Sequence, residues 1–146
     1  MPIKPENLAR YPKNWKDIRA QILERANHCC EFCGVRNYGL IQRFADGSFS
    51  YASGNIYYDL FEYTKSYTEA SMAMQTLNES AREMEGVPLY IVVVLTIAHL
   101  DHTPENCGQD NLKALCQKCH LNYDHGHHQQ NARATRRNKL AAAELF

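Results

Sequence analysis

The chain has no apolar run long enough to cross a bilayer, and its longest, Leu89 to Ile97, falls well short of the roughly 20 residues that a spanning helix needs. The first residues, Met1 to Pro5, lack the apolar core of a secretory signal. We therefore expect a cytoplasmic protein with no membrane partner, whose thiols stay reduced. A length of 146 residues favours a single domain with a modest core.

The chain also has no net charge, because its 16 basic residues are balanced by 16 acidic ones. A neutral chain offers no general attraction for nucleic acid, but its basic residues cluster near both ends. Arg133, Arg136 and Arg137 form one such cluster, and a local basic face is enough to contact phosphates. The alternative interpretation is a solvated helix surface, and charge alone does not choose between the two.

Two Cys-x-x-Cys pairs are the most informative feature that the sequence does contain. Cys30 and Cys33 form the first pair, while Cys116 and Cys119 form the second, which His120 follows at once. A two-residue spacer lets a tight turn aim both sulfurs at one ion, and four thiolates at about 2.3 Å make a closed tetrahedral zinc site. A redox-active pair is the alternative for either motif, but two matched pairs favour a structural Zn²⁺ ion.

The order of segments predicts one α+β domain over residues 1–146. We expect an irregular arm at 1–13, a helix and the first cysteine pair at 14–34, an insertion at 35–88, a strand, loop and second cysteine pair at 89–128, and a helical C-terminus at 129–146. The β-branched run from Leu89 to Ile97 predicts a strand with both faces covered. The final helix can begin as early as Asp124.

Histidines are concentrated in the second half of the chain, where six of the seven lie between His99 and His128. Imidazole acts as a general base near neutral pH and also binds divalent ions. A histidine at a strand end and others at a helix start can converge on one point. A metal ion and an activated water at that point are what hydrolysis of a phosphodiester requires.

These elements resemble the HNH endonucleases. The run from Leu95 to His120 carries a His, an Asn and a Cys-x-x-Cys-His in the family's order, and the run from Ile22 to Gly34 resembles the N-terminal half of its zinc-bearing subtype. The resemblance covers residues 15–33 and 96–137, and leaves the insertion at 35–88 unmatched. It implies a small ββα-metal core with a structural zinc bound by four cysteines, flanked by helices and an inserted α/β segment. Small proteins of this type are typically bacterial or phage-encoded.

The resemblance also implies roles for individual residues. His99 corresponds to the general base, Asn111 to the Asn that pins the loop before the second cysteine pair, and His120 to a ligand of the catalytic ion. The ligands of the structural zinc correspond to Cys30, Cys33, Cys116 and Cys119. The implied activity is metal-dependent cleavage or nicking of DNA with one divalent ion, which could be Mg²⁺, Mn²⁺, Ni²⁺ or Zn²⁺. Candidate nucleic-acid contacts are Lys118, Arg133, Arg136 and Arg137.

One position departs from the family, because Ala98 stands where an Asp or His usually binds the catalytic metal. Asp101 can supply the missing carboxylate if the strand extends that far, since it then shares a face with His99. Alternatively, Asp101 and His102 form the ligand and the base, although the spacing from His99 to the Asn of the motif favours His99. Asp124 and His128 are further candidate ligands, whereas His125 and His127 are expected at the surface.

Two other classes of function remain open from the sequence. The first is a catalytically silent zinc module that binds nucleic acid or a protein, which the alanine at position 98 and the neutral net charge motivate. The second is a small assembly subunit that the zinc merely holds together. The sequence indicates neither the oligomeric state nor the role of the insertion.

Overall fold

The structure is a computed structural model that describes residues 5–52 and 66–144. The first four residues of the predicted arm, residues 53–65 of the insertion and the last two residues lie outside the described parts. The described α-helices are α1 (Trp15–Arg25), α2 (Tyr67–Arg82) and α3 (Gln117–Glu144). The described strands are β1 (Leu40–Arg43), β2 (Phe49–Tyr51), β3 (Ile91–Val92), β4 (Thr96–His99) and β5 (Leu112–Leu115). Short 3₁₀ helices span Pro5–Arg10 and Gln109–Asn111.

The strands form two antiparallel sheets, which together with the helices confirm an α+β architecture. In the first sheet β1 lies between β2 and β3, with Ile41 opposite both Tyr51 and Ile91. In the second, β4 pairs with β5 so that His99 lies opposite Leu112. Helix α3 follows β5 directly, which places the second cysteine pair where strand and helix meet.

The prediction of one continuous strand from Leu89 to Ile97 was wrong, because the chain leaves one sheet and enters the other within that run. β3 ends at Val92 and β4 begins at Thr96. Between them Val93 still bonds to backbone groups of Tyr38 and Gly39. The next two residues bond to side chains: the N–H of Val94 donates to the side chain of Gln117, and that of Leu95 donates to Asn37 Oδ1 at 2.9 Å. A β-branched run predicts that its residues are buried, but it does not predict to which sheet each part of the run belongs.

Helix α3 begins at Gln117, before the predicted start at Asp124. Its first turn forms directly after Cys116 and contains the rest of the second cysteine pair. The N–H of His120 donates to the carbonyl of Cys116 at 2.9 Å. His120, Asp124, His127 and His128 therefore share one helix, with spacings that put them on one side of it. None of the described helices is long and apolar enough to span a membrane.

The main hydrophobic core joins both cysteine pairs to the β4–β5 sheet. Its buried residues include Ile22 of α1, Leu95, Leu112 and Leu115. Cys30 and Cys116 belong to the same cluster. A smaller cluster of Leu40, Ala70 and Val92 packs α2 against the first sheet. The larger core therefore supports the cysteines, while the smaller one belongs to the insertion.

Glu31, in the spacer of the first cysteine pair, clamps that pair to β5. Its N–H donates to the carbonyl of Ala114 at 2.9 Å, and its carboxylate accepts from the N–H of Ala114 at 2.7 Å. Arg25 and Lys113 also donate to this carboxylate. Burial opposes the charge, but the bond from Ala114 and the guanidinium of Arg25 outweigh it and lower the pKa of Glu31. The spacer thus binds the strand through its backbone and its side chain.

We expect Glu31→Ala to lower the free energy of unfolding by about 2 kcal/mol, because it removes an ionised acceptor and leaves the N–H of Ala114 without its partner. Urea unfolding of the zinc-loaded protein measures this change. Glu24→Ala is the matched control, since Glu24 is an exposed residue of α1 and its loss should stay within about 0.5 kcal/mol. Equal effects of the two substitutions would contradict the clamp.

Candidate metal centre and the adjoining cavity

The first cysteine pair lies in a tight turn that follows α1. The N–H of Gly34 donates to the carbonyl of Cys30 at 2.8 Å, and the N–H of Cys30 donates to the carbonyl of Val35 at 2.8 Å. Gly34 closes the turn with a φ of +75°, which glycine adopts without a steric cost. Cys116 follows β5, and Cys119 lies in the first turn of α3.

The four sulfurs of Cys30, Cys33, Cys116 and Cys119 converge, with all Sγ atoms within 4.8 Å of one another. The Sγ atoms of Cys33 and Cys116 are 3.7 Å apart. A tetrahedron with metal–sulfur bonds of about 2.3 Å has edges of about 3.8 Å, so the spacing fits Zn²⁺. Cys30 and Cys116 are buried while Cys33 is exposed, which leaves an entry path for the ion. The cluster can therefore hold a zinc ion.

The ionisation of these thiols also favours a bound cation. Burial opposes ionisation of Cys30, but hydrogen bonds from the backbone N–H groups of Cys116 and Cys33 outweigh it and lower the pKa of this thiol to about 7. Burial raises the pKa of Cys33 and of Cys119, and the neighbouring sulfurs raise that of Cys119 further. Ionisation of all four thiols together would therefore require a positive charge among them, which a bound zinc ion would supply.

A cavity of about 800 Å³ adjoins the cysteine cluster. This volume lies within the range of roughly 300–1,000 Å³ that is typical of ligand sites. Its walls come from the 3₁₀ helix Pro5–Arg10, from α1, from the β4 strand and the loop after it, and from α3. The sequence-predicted residues that line it are His99, His102, His120, Asp124 and His128. Candidate residues from distant parts of the chain thus meet at one surface.

Asp124 is the centre of a cluster of imidazoles within this cavity. Its Oδ2 lies 3.1 Å from Nε2 of His120 and 3.9 Å from Nε2 of His128, and its Oδ1 lies 3.3 Å from Nδ1 of His102. The carboxylate is largely covered, with 14% of its side chain exposed. Among the described residues, only the four cysteines form a group of three or more ligand atoms that all lie within 4.8 Å of one another, and the Asp124 cluster does not meet this spacing.

His120 is anchored on its other side by Thr96. The hydroxyl of Thr96 lies 2.6 Å from Nδ1 of His120 and 3.5 Å from the carbonyl of Leu115. The hydroxyl can accept from Nδ1–H, which leaves Nε2 without a proton, or donate to Nδ1, in which case Nε2–H donates to Asp124. Burial lowers the pKa of His120, although the carboxylate of Asp124 opposes this effect. The tautomer protonated at Nδ1 is the one that could bind a metal through Nε2.

His99 lies at the end of β4 and packs among aromatic rings. Its imidazole stacks on Trp15 with ring centroids 5.2 Å apart, and the ring of Tyr11 meets it edge-on at 5.8 Å. The residue is 9% exposed, and Nε2 lies 3.8 Å from Sγ of Cys107. Burial lowers the pKa of His99, and nearby carboxylates offset only part of this effect. The lowered pKa of His99 favours the neutral imidazole, and its burial leaves little of the ring accessible from the cavity.

Asp101 and Asn111 lie away from the cavity and hold the loop between β4 and β5. Nδ2 of Asn111 donates to Oδ1 of Asp101 and to the carbonyl of Asn106, both at 2.9 Å. Hydrogen bonds from Asn106, Asn111 and the N–H of Thr103 lower the pKa of Asp101 to about 2. The expectation that Asp101 shares a strand face with His99 was wrong, because β4 ends at His99 and these bonds occupy the carboxylate.

Ala98 offers no ligand, since it is buried in the main core on the opposite side of β4 from His99. His102 approaches the site instead from the turn that follows β4. The N–H of His102 donates to the carbonyl of His99 at 3.0 Å, and its φ of +57° turns the chain back toward α3. The cavity thus receives a ligand-type side chain from beyond the strand end rather than from position 98.

The basic residues predicted to contact nucleic acid divide into two groups. Lys118 is occupied, because its Nζ donates to the carbonyl of Gly47 at 2.9 Å. Arg133, Arg136 and Arg137 are exposed on α3. At about 100° per residue, they lie on the opposite side of the helix from Asp124. These arginines and the cavity therefore face different directions.

Sequence reasoning missed several residues of the cavity wall. His127, expected at the surface, lines the cavity and stacks on His102 with ring centroids 4.1 Å apart. Tyr11, Arg10 and Arg19 line the cavity as well, and Arg10 makes a paired ion contact with Glu105 at 2.6 and 3.0 Å. The i, i+4, i+7 and i+8 spacing of His120, Asp124, His127 and His128 was the signal that could have revealed the shared face.

Comparison with protein-family models, with curated proteins and with solved structures found no match for this chain. The assignment of a function therefore rests on the geometry of the cysteine cluster and of the cavity.

We expect the purified protein to carry about one zinc ion per chain, held by four thiolates. Elemental analysis measures the metal, and Cys33→Ser and Cys116→Ser should both abolish tight binding. Cys29→Ser is the matched control, because Cys29 adjoins the site but its Sγ contacts the carbonyl of Asn27 instead. Full retention of zinc in Cys116→Ser would rule out the four-cysteine centre.

Proposed function

We propose that this protein is a metal-dependent endonuclease or nickase of the HNH type, which hydrolyses phosphodiester bonds in DNA. The observation that carries the proposal is the convergence of His99, His120 and Asp124 on one cavity of about 800 Å³ beside the four-cysteine cluster. The order of these elements, a β4–β5 pair followed at once by α3, agrees with the ββα-metal core that the sequence resemblance implies.

The Asp124 cluster supports a catalytic cation. Imidazole nitrogens of His102 and His120 lie 3.3 and 3.1 Å from the two oxygens of one carboxylate. Two lone pairs do not attract each other, so each of these contacts needs a proton or a shared positive ion. A divalent ion bound by His120 and Asp124, with His102 and His128 beside them, would offset charge on the phosphate and on the leaving oxygen.

His99 is the residue best placed to accept a proton from the attacking water. Its lowered pKa keeps the imidazole neutral at physiological pH, which is the state that a general base requires. The rings of Trp15 and Tyr11 fix the orientation of this imidazole. Asn111 acts indirectly, by holding the loop that begins where His99 ends the strand.

Contact with DNA at the cavity is supported by Arg19, an exposed residue of the cavity wall that could pair with a phosphate. Arg133, Arg136 and Arg137 face away from the cavity, so they would contact phosphates only on a separate surface of the protein. Neither group requires a net positive charge on the whole chain.

A catalytically silent zinc module is the second candidate, and the burial of His99 favours it. A base that is 9% exposed and stacked on an indole has little room to meet a water molecule. The alanine at position 98 removes the ligand that would bring a metal ion to its side. This candidate predicts binding to DNA that weakens with salt, without any cleavage.

We expect nicking of supercoiled plasmid in the presence of Mg²⁺, Mn²⁺, Ni²⁺ or Zn²⁺. His99→Ala should slow the reaction at least about 100-fold, because a general base contributes at least about that factor. His120→Ala should raise the metal concentration needed for half-maximal rate. The conversion of supercoiled to open-circular plasmid on a gel measures both effects.

His125→Ala is the matched control, since His125 lies on the same helix, is exposed and contacts Gln129 rather than the cavity. Its rate should stay within about twofold of wild type. Equal rates in all three variants would remove these histidines from the mechanism. Salt-sensitive DNA binding with no nicking under any of the metals would establish the silent module.

We expect Asp124→Asn and Asp101→Asn to differ sharply in metal binding, because only the carboxylate of Asp124 lines the cavity. Titration calorimetry of the zinc-loaded protein with Mn²⁺ should show an affinity lowered about tenfold or more in Asp124→Asn. The affinity of Asp101→Asn should match wild type. A larger loss in Asp101→Asn would assign the ligand to the Asp101–His102 pair instead.

A further inference from the structure

The β1–β2 hairpin, residues 40–51 of the insertion, approaches the cysteine cluster. Nη2 of Arg43, the last residue of β1, lies 3.5 Å from Sγ of Cys116. From this contact we propose that Arg43 is a positioning residue for the zinc centre, which protects the Cys116 thiolate by supplying a positive charge and an N–H donor. The inference rests on zinc binding by the four cysteines and does not depend on nuclease activity.

The guanidinium of Arg43 is held in place by the neighbouring strand. Arg43 pairs with Phe49 across the two strands, so both side chains lie on the same face of the sheet. The guanidinium carbon is 5.9 Å from the centre of the Phe49 ring, within the range of a cation–π contact. An arginine held on an aromatic ring loses less entropy when it donates to sulfur.

The charge of the cluster explains why such a donor matters. Four thiolates and one Zn²⁺ carry a net charge of about −2, and the excess resides on the sulfurs. Cys116 is 0% exposed, so water cannot solvate its sulfur. A charge-assisted hydrogen bond from Arg43 offsets part of the negative charge and lowers the nucleophilicity of that thiolate. Because one ion would be shared by all four sulfurs, the same donor would also reduce the negative charge on the exposed Cys33, which an electrophile reaches first, and attack should be slower.

A second contact ties the same hairpin to the centre from its other end. Lys118, in the spacer of the second cysteine pair, donates from Nζ to the carbonyl of Gly47 at 2.9 Å. Gly47 lies in the turn between β1 and β2, so the turn and the end of β1 both contact the segment around Cys116. This part of the insertion is therefore a cover for the metal centre.

The test measures zinc release from the zinc-loaded protein during alkylation with N-ethylmaleimide, followed with the chromogenic chelator 4-(2-pyridylazo)resorcinol. We expect Arg43→Gln, which removes both the charge and the guanidinium donor, to release zinc about tenfold faster than wild type. Arg43→Lys keeps the charge and should lie between the two. Phe49→Leu loosens the guanidinium and should also accelerate release, which keeps a test available if Arg43→Gln does not fold.

Two controls separate the contact with sulfur from other effects. Arg133→Gln removes an exposed charge on α3 and should leave the rate unchanged. Lys118→Gln removes the second anchor of the hairpin without touching a sulfur, and should accelerate zinc release less than Arg43→Gln does. Unchanged release in zinc-loaded Arg43→Gln and Phe49→Leu overturns the proposal, as does equal acceleration in Lys118→Gln. A wild-type chain without zinc overturns it together with the metal centre, whatever the nuclease assay shows.

Discussion

The approach of four sulfurs to one point is the constraint on which the rest of the structure depends. Cys33 and Cys116 are separated by 83 residues in the chain, yet their sulfurs lie 3.7 Å apart. Ionised thiols this close repel one another, so a cation among them would stabilise the cluster. Helix α1 ends just before this point, β5 runs into it and α3 starts from it, so an ion bound there would fix the relative placement of all three.

The cavity is a consequence of that placement. α1 contributes Trp15 and Arg19, β4 contributes His99, and α3 contributes Asp124 together with its histidines. The residue that unites the imidazoles is a single carboxylate, 14% exposed, whose two oxygens face different histidines. The cysteine cluster and the cluster around Asp124 thus follow one another along the first turns of α3.

The sequence predicted the parts of this architecture that are local. A Cys-x-x-Cys spacing almost determines its own turn, so the grouping of the cysteines and the α+β class could be inferred directly. The start of α3 could not, because its first turn forms at the second cysteine pair, and that error hid the shared helix face of His120 and Asp124. The division of the run from Leu89 to Ile97 and the contacts of Glu31 and Arg43 depend on partners distant in sequence, which a single sequence does not reveal.

Trp15 is the only tryptophan of the chain, and its indole lies flat against the imidazole of His99. A protonated imidazole quenches a neighbouring indole more than a neutral imidazole does. Protonation of His99 would therefore change the emission of this one tryptophan, and the fluorescence of Trp15 would follow the titration of a single buried histidine without a label and without any substrate.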